Sequence, residues 1–401
     1  MIKTMSKIIF AGFSVLFLAQ SAFSMENGGL LTNDTKFANA EKDGSLKLDQ
    51  KNGLNLWFRN PLSEDGSSYI AGEGSFQYEY NDAVEDSDKK LILYADLNLL
   101  KIVAKKELDS GDLTFSAGRF FNSDLTGIIF SQNADGVKID ANLSKAAISL
   151  YGAYTGLLNA KNITIIGDDT DLTDKEKTVY VTANKFVLGA LTLSLPYFAA
   201  NQSISVEGLA AISLESTKIN RFWGTVELGG PIVAPVFYNI SSTLGLSKSD
   251  EKDMEKANLS KASLSVYPDY KSMSISLNAL YASGNQGGFK SFQGFTSGTA
   301  VNSLIEPEYS GVLTAGLSAS IKPVENFLLY AGGDLVFDAL SGDESEEIEQ
   351  AGFQYNAGFN WSIVSDVLFC VDFVGYKGKE EHENTIGASK NQLKISAAIA
   401  F

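Results

Sequence analysis

Gln392-Leu393-Lys394-Ile395-Ser396-Ala397-Ala398-Ile399-Ala400-Phe401 is the last stretch of the sequence, and its reading decides the fold. Side chains alternate across a strand with period two. Leu393, Ile395, Ala397, Ile399 and Phe401 therefore fall on one face, and Lys394, Ser396, Ala398 and Ala400 on the other. One face is apolar throughout and ends on an aromatic. Such a strand can lay that face against lipid, and the same alternation fits a soluble edge strand. The rest of the chain discriminates between the two.

Alternation recurs along the chain. Leu313, Ala315, Leu317, Ala319 and Ile321 interleave with Thr314, Gly316, Ser318 and Ser320. Met273, Ile275, Leu277, Ala279 and Tyr281 do so with Ser272, Ser274, Ser276 and Asn278, and Phe353, Tyr355, Ala357, Phe359 and Trp361 with Gln354, Asn356, Gly358 and Asn360. Each run is about ten residues long, enough for a tilted strand to cross hydrocarbon, whereas soluble strands are nearer five or six. Short breaks (107–110, 142–144, 229–232, 268–270, 322–326, 364–365) alternate with long acidic ones (81–88, 159–177, 247–256, 284–309, 341–349, 377–389). Short turns at one rim and long loops at the other are the asymmetry of a membrane barrel. The pattern predicts an all-β fold, a transmembrane antiparallel up-and-down barrel over 68–401 with about sixteen strands (range roughly 14–18). Two places bear on the count: 178–195 is long for one strand, and Leu54-Asn55-Leu56-Trp57 reads as an additional one. Residues 25–67 otherwise read as a polar lead, periplasmic or lumenal.

Residues 1–24 read as a signal peptide: Lys3 and Lys7, a short apolar run from Ile8 to Leu18, then small residues Ala22 and Ser24. The chain carries 32 basic residues, two of them Lys3 and Lys7, against 48 acidic ones, so the part after residue 24 has a net charge of −18. That balance disfavours nucleic acid, whose phosphates need a basic surface. Cys370 is the one cysteine and excludes an internal disulfide framework; His382 is the one histidine and leaves little for nucleophile–histidine catalysis or a His-rich zinc site. No stretch after residue 24 approaches the roughly 18 apolar residues of a spanning helix. An exported chain without one is periplasmic, secreted, or a closed barrel, and only the barrel satisfies its backbone in lipid with strands.

With the apolar parity facing lipid, the other parity faces the lumen. This places Glu73, Gln77, Glu79, Asp96, Asn98, Glu207, Glu227, Asp334 and Asp372 inward, with Arg221 and Lys394 as the basic members. A charge facing lipid at mid-depth costs on the order of 2–4 kcal/mol for Lys or Arg, which supports the parity. A barrel this wide encloses water rather than packed side chains, and seven carboxylates against two bases predict a cation-leaning field. The long Gly/Phe-rich segment 284–309 supplies constriction candidates Phe289, Phe292 and Phe295, with an external surface loop as the alternative. The clusters Asp168-Asp169, Asp171, Asp174 and Asp343-Glu344, Glu346-Glu347 lack the ligand spacing of a dedicated calcium loop and read as solvated charge. The pattern Ala141–Tyr151 nearly repeats at Ala257–Tyr267, as an old hairpin duplication or as convergent barrel composition.

Gly118-Arg119-Phe120-Phe121-Asn122-Ser123-Asp124, followed by Asp135-Gly136-Val137-Lys138-Ile139, resembles a Gly-Arg and Asp-Gly-Val pattern of substrate-channel and alginate-export-type porins. Tyr281-Ala282-Ser283-Gly284-Asn285 resembles a strand-end motif of the same group. These matches are short, whereas the likeness to bacterial outer-membrane β-barrels of the porin type spans nearly the whole chain after residue 24. The terminal strand resembles their closing strand, which implies Leu393, Ile395, Ile399 and Phe401 as the signal read by the barrel assembly machinery. The resemblance implies an outer-membrane location, passive diffusion of small hydrophilic solutes, no cofactor, and a homotrimer among the assembly states. An alginate substrate is not carried over, because that polyanion wants a basic lumen. The rival readings are a surface scaffold or adhesin displaying acidic loops, a hydrophobic-compound transporter with its plug in 25–67, and a barrel enzyme relying on His382.

Overall fold

The computed structural model describes residues 25–39, 46–81, 91–163, 165–166, 179–215, 219–249, 253–284, 289–296, 310–339, 348–382 and 386–401. The expected signal peptide and both Asp/Glu clusters lie outside them. Eighteen strands follow one another: β1 (Glu26–Asn39), β2 (Leu46–Pro61), β3 (Tyr69–Asn81), β4 (Leu91–Leu108), β5 (Gly111–Ser123), β6 (Ser131–Leu143), β7 (Ala147–Tyr154), β8 (Phe186–Ala199), β9 (Gln202–Ser213), β10 (Ile219–Val233), β11 (Val236–Ser249), β12 (Glu255–Val266), β13 (Ser274–Ala282), β14 (Val312–Val324), β15 (Phe327–Asp338), β16 (Glu349–Val364), β17 (Val367–Gly378) and β18 (Lys390–Ala400). Each pairs antiparallel with its neighbours in the chain, and β18 returns to β1 from Leu30↔Ala400 to Ala38↔Gln392. The sheet is a closed up-and-down barrel without an edge strand, so the ladder satisfies the backbone of the wall except where β4 and β5 part beyond Leu100.

The count exceeds sixteen because residues 25–67 are not a polar lead: they form β1 and β2. Their outward face hides this. Pairing aligns Asn33 with Ala397 and Thr35 with Ile395 on the apolar side of β18, and Asn52 and Gln50 oppose them on β2. These four polar residues occupy the positions where apolar ones announce a strand. Asn33 and Asn52 answer each other, Nδ2 to Oδ1 at 2.7 Å, which lowers the cost of an amide at that position. Leu54–Trp57 does belong to an additional strand, β2, which extends well beyond it on both sides. The stretch 178–195 does not split: its described residues form a connection and then the start of β8. The break at 229–232 lies inside β10, where Gly230 (φ 154°) and a register shift between Pro231 and Val233 form a bulge. The turn follows at Ala234-Pro235.

Burial sorts the faces. On β8 Phe186, Leu188 and Ala190 are buried, while Val187 and Leu191 on the alternate parity are 44% and 54% exposed. Exposed Val206, Val226, Leu244, Leu277, Leu317, Leu335 and Phe373 continue that outer band around the barrel. The repeated sequence pattern does not mark equivalent structure. Ala257–Tyr267 runs along β12, whereas Ala141–Tyr151 ends β6, turns at Ser144-Lys145 and begins β7. The barrel therefore uses one composition for two geometries, which favours convergence over a duplicated hairpin.

Candidate functional site

Three connections at the rim opposite Phe401 (124–130, 155–185 and 283–311) send their described parts against the inner wall. Phe295 is fully buried, 5.1 Å from the Phe186 ring and 6.1 Å from the Phe130 ring. Phe292 is also fully buried. Both belong to one apolar cluster with Ile129 and the inward side chains Leu188, Leu209, Trp223, Leu259 and Leu280. Backbone bonds fix the segment: Phe295 N to Ile129 O at 2.8 Å, Ile166 N to Phe295 O at 2.9 Å and Phe292 N to Ser283 O at 2.8 Å. Gly294 permits the close approach, because a Cβ there would lie 3.2 Å from Ile128 O. Phe292 and Phe295 are thus anchors beneath the segment rather than rings at an aperture. Phe289 is half-buried.

Polar side chains from the wall complete the attachment. Arg221, 3% exposed, donates through Nη1 to Gly294 O at 3.2 Å and through Nη2 to Ile166 O at 2.6 Å. Trp223 Nε1 donates to Gln293 O at 3.1 Å. The 124–130 connection is wound around the Asp124 carboxylate, which accepts from Thr126 N and Oγ1 and from Phe130 N. Lys261 Nζ reaches from β12 to Thr126 O at 2.8 Å, and Glu207 on β9 accepts from Leu125 N at 3.2 Å and Thr192 Oγ1 at 2.8 Å. Strands distant in sequence thereby hold one connection across the interior.

The wall also forks. β4 pairs with β5 from Leu108↔Gly111 up to Leu100↔Arg119. Beyond that point β4 meets the 155–185 connection: Ala95 N donates to Val179 O at 3.4 Å, and Asn159 Nδ2 to Ala95 O at 3.1 Å. Arg119 fills the fork with 5% of its side chain exposed. Its Nε and Nη2 take Asp135 in a bidentate grip at 2.9 and 2.7 Å. Nη1 donates to Leu97 O at 3.0 Å and Asp96 Oδ1 at 3.4 Å, and Nη2 also to Leu157 O at 2.7 Å. A bulge at Asn98, where the β3–β4 register shifts, and Gly118 at φ 117° shape the junction; a Cβ on Gly118 would come 2.1 Å from Leu100 O.

The eleven charged and polar residues assigned by parity all lie opposite the exposed apolar face. They form separate groups. Glu73 accepts from Asn98 Nδ2 at 2.8 Å, and Gln77 Oε1 from Tyr94 OH at 2.5 Å. Glu79 is aligned with Lys51, whose Nζ lies 5.5 Å from the Tyr94 ring centroid. Asp372 is aligned with Lys394, which pairs with Asp34 at 3.4 Å. Asp96 also accepts from Asn162 Nδ2 at 2.7 Å. Glu227 and Asp334 sit on the inner faces of β10 and β15. The expectation of two bases against seven acids omits Lys51, Lys261 and the fork's Arg119, and also Lys36, Lys101 and Lys138, which share the inner parity of their strands. Lys261 shares the inner parity of β12 with Ala257 and Leu259 and was legible there. Lys51 was hidden with β2.

No protein-family model matches the chain, and no curated protein sequence matches it significantly. Solved structures do. Pseudomonas aeruginosa OpdQ is similar at TM-score 0.62 and 10% identity over 94% of this chain and 98% of that one. The outer membrane protein OprD of Pseudomonas aeruginosa gives 0.60 and 11% over 94% and 93%. The outer membrane protein OpdK of the same species gives 0.58 and 8% over 94% and 98%. The chain has the fold of these outer-membrane barrels. The match runs almost end to end on both sides, so β1 and β2 belong to the shared architecture. At such identities it is the fold that is shared.

Proposed function

We propose that this chain is an outer-membrane channel for passive diffusion of small hydrophilic solutes, with a preference for cations. One observation carries the reading: a closed barrel with an apolar outer band has a polar inner wall on which three connections fold inward and are bolted down. A display scaffold has no need of Arg221, Trp223 and Lys261 tying connections to the interior. Such a channel works by size and wall charge and asks for no catalytic group or cofactor. The cation preference rests on pairing: Lys394 and Arg119 are held by Asp34, Asp96 and Asp135, and those ion pairs leave Glu227 and Asp334 outside them. Leu393, Ile395, Ile399 and Phe401 are proposed as the face read by the assembly machinery.

Single-channel recording of refolded protein in planar bilayers tests both parts. Discrete conductance steps are expected, with a reversal potential in a KCl gradient on the cation side. A correctly folded barrel that conducts nothing defeats the channel. Anion selectivity defeats the charge assignment alone.

A further inference from the structure

The one histidine of the chain stands where a metal ligand would. His382 lies in a short 3-10 turn after β17, is 7% exposed, and is fixed by His382 N to Lys379 O at 3.1 Å and Ile386 N to His382 O at 2.9 Å. Asp338, the last residue of β15 and 1% exposed, lies 3.0 Å from its Nδ1. A carboxylate on Nδ1 fixes the tautomer and turns the Nε2 lone pair outward, the arrangement that orients histidine ligands. Nε2 faces Glu349 Oε2 at 3.6 Å and Glu381 Oε1 at 3.8 Å, and the three ligand atoms lie within 4.8 Å of one another.

Those separations suit an ion held between the three groups. They are too long for hydrogen bonds, which close at about 3.2 Å. Ligands at about 2.0–2.1 Å from a tetrahedral zinc ion stand roughly 3.3–3.4 Å apart, so the two edges from Nε2 need close by only a few tenths of an ångström, and the edge between the carboxylates, within 4.8 Å, closes by rotation of their side chains. Glu349 and Glu381 are more than half exposed and free to make it. The competing cation is Lys379, whose Nζ is 3.5 Å from Glu381 Oε1 and whose side chain is half exposed. One imidazole nitrogen and two carboxylates suit a borderline divalent ion of the zinc class; calcium prefers six to eight oxygens.

We propose that His382, Glu349 and Glu381 form a site for a zinc-class divalent cation at the long-loop rim, with Asp338 as the positioning residue. The ion would clip the start of β16 to the turn after β17. The proposal is independent of conduction.

The test is calorimetric titration of full-length refolded barrel with Zn2+ near pH 7.5, in excess Ca2+ to occupy diffuse acidic sites. One saturable Zn2+ site is expected. His382→Gln and Glu349→Gln should weaken it at least tenfold, and Asp338→Asn by roughly 10–100-fold. Glu349 is exposed, so its variant keeps the test clean should the buried replacements disturb folding, which heat-dependent gel mobility reports. Absence of a saturable site in the wild type overturns the proposal. So does undiminished binding in folded His382→Gln or Glu349→Gln, or full competition by Ca2+.

Discussion

Lys145 and Lys261 occupy the same place in the repeated sequence pattern, and their fates differ. Lys145 caps an exposed turn, while Lys261 sits on the inner wall with Nζ on Thr126 O. Lys261→Met keeps the stem and removes the donor. The lost bond to a charged group is worth about 1.5–3 kcal/mol, and the 124–130 connection loses its tie to β12. Reduced denaturant stability together with a larger, noisier single-channel current is the expected result. Asp65 makes a second residue-scale case in the β2–β3 connection. It accepts from Ser63 Oγ at 2.5 Å and Ser67 N at 3.1 Å. These bonds favour the carboxylate and pull its pKa from the ordinary 3.8 down to about 2. With the folded value depressed, its contribution is present above 3.8 and lost as pH falls through about 2. A carbon-detected NMR titration should find the Asp65 midpoint near 2, and a midpoint at 3.8 would contradict the bonded turn.

The fork between β4 and β5 is a property of elements, since Arg119 replaces strand pairing that the two strands cannot supply beyond Leu100. Removing one partner of a buried ion pair leaves the other charge uncompensated at a cost of about 3–5 kcal/mol. Arg119→Ala should therefore lose on the order of 3 kcal/mol and release β4 from the 155–185 connection. Hydrogen exchange should accelerate over residues 91–99 and stay unchanged on β12–β14; uniform exchange would mean that the fork is held by other contacts. This junction shows where sequence reasoning stops. Runs such as Leu313–Ile321 are legible because every second residue meets lipid and must be apolar. β1 is illegible, and β2 legible only at Leu54–Trp57, because Asn33, Thr35, Gln50 and Asn52 break that rule in concert; Asn33 bonds to Asn52 across the pair and accepts from Thr35. Inward charges follow from parity wherever a strand is read, so Glu207 and Asp372 were within reach. Arg119 was marked only by family resemblance, since its role depends on a bulge at Asn98 and on a connection returning from beyond β7.

At the scale of the whole molecule, the barrel wall carries the segment 289–296 on its inner face, and under the proposed channel reading its anchors decide how far that segment narrows the passage. If Phe292 and Phe295 ringed an aperture, truncating either would widen the passage and leave stability alone. Buried as they are against Phe130 and Phe186, truncation instead opens a cavity. Phe→Ala in such surroundings costs about 3–5 kcal/mol, enough to detach a short segment while eighteen paired strands persist. Phe295→Ala should thus raise the mean conductance, add rapid current fluctuations and expose 289–296 to protease, with the barrel's own unfolding midpoint little changed. Arg221→Ala removes the bonds to Gly294 O and Ile166 O and should give the same phenotype from the opposite side of the segment. Because both changes release one element, the double variant should add little to either alone. Steady current with an enlarged step would return the phenyl rings to the aperture, and additive effects would separate Arg221 from the anchor.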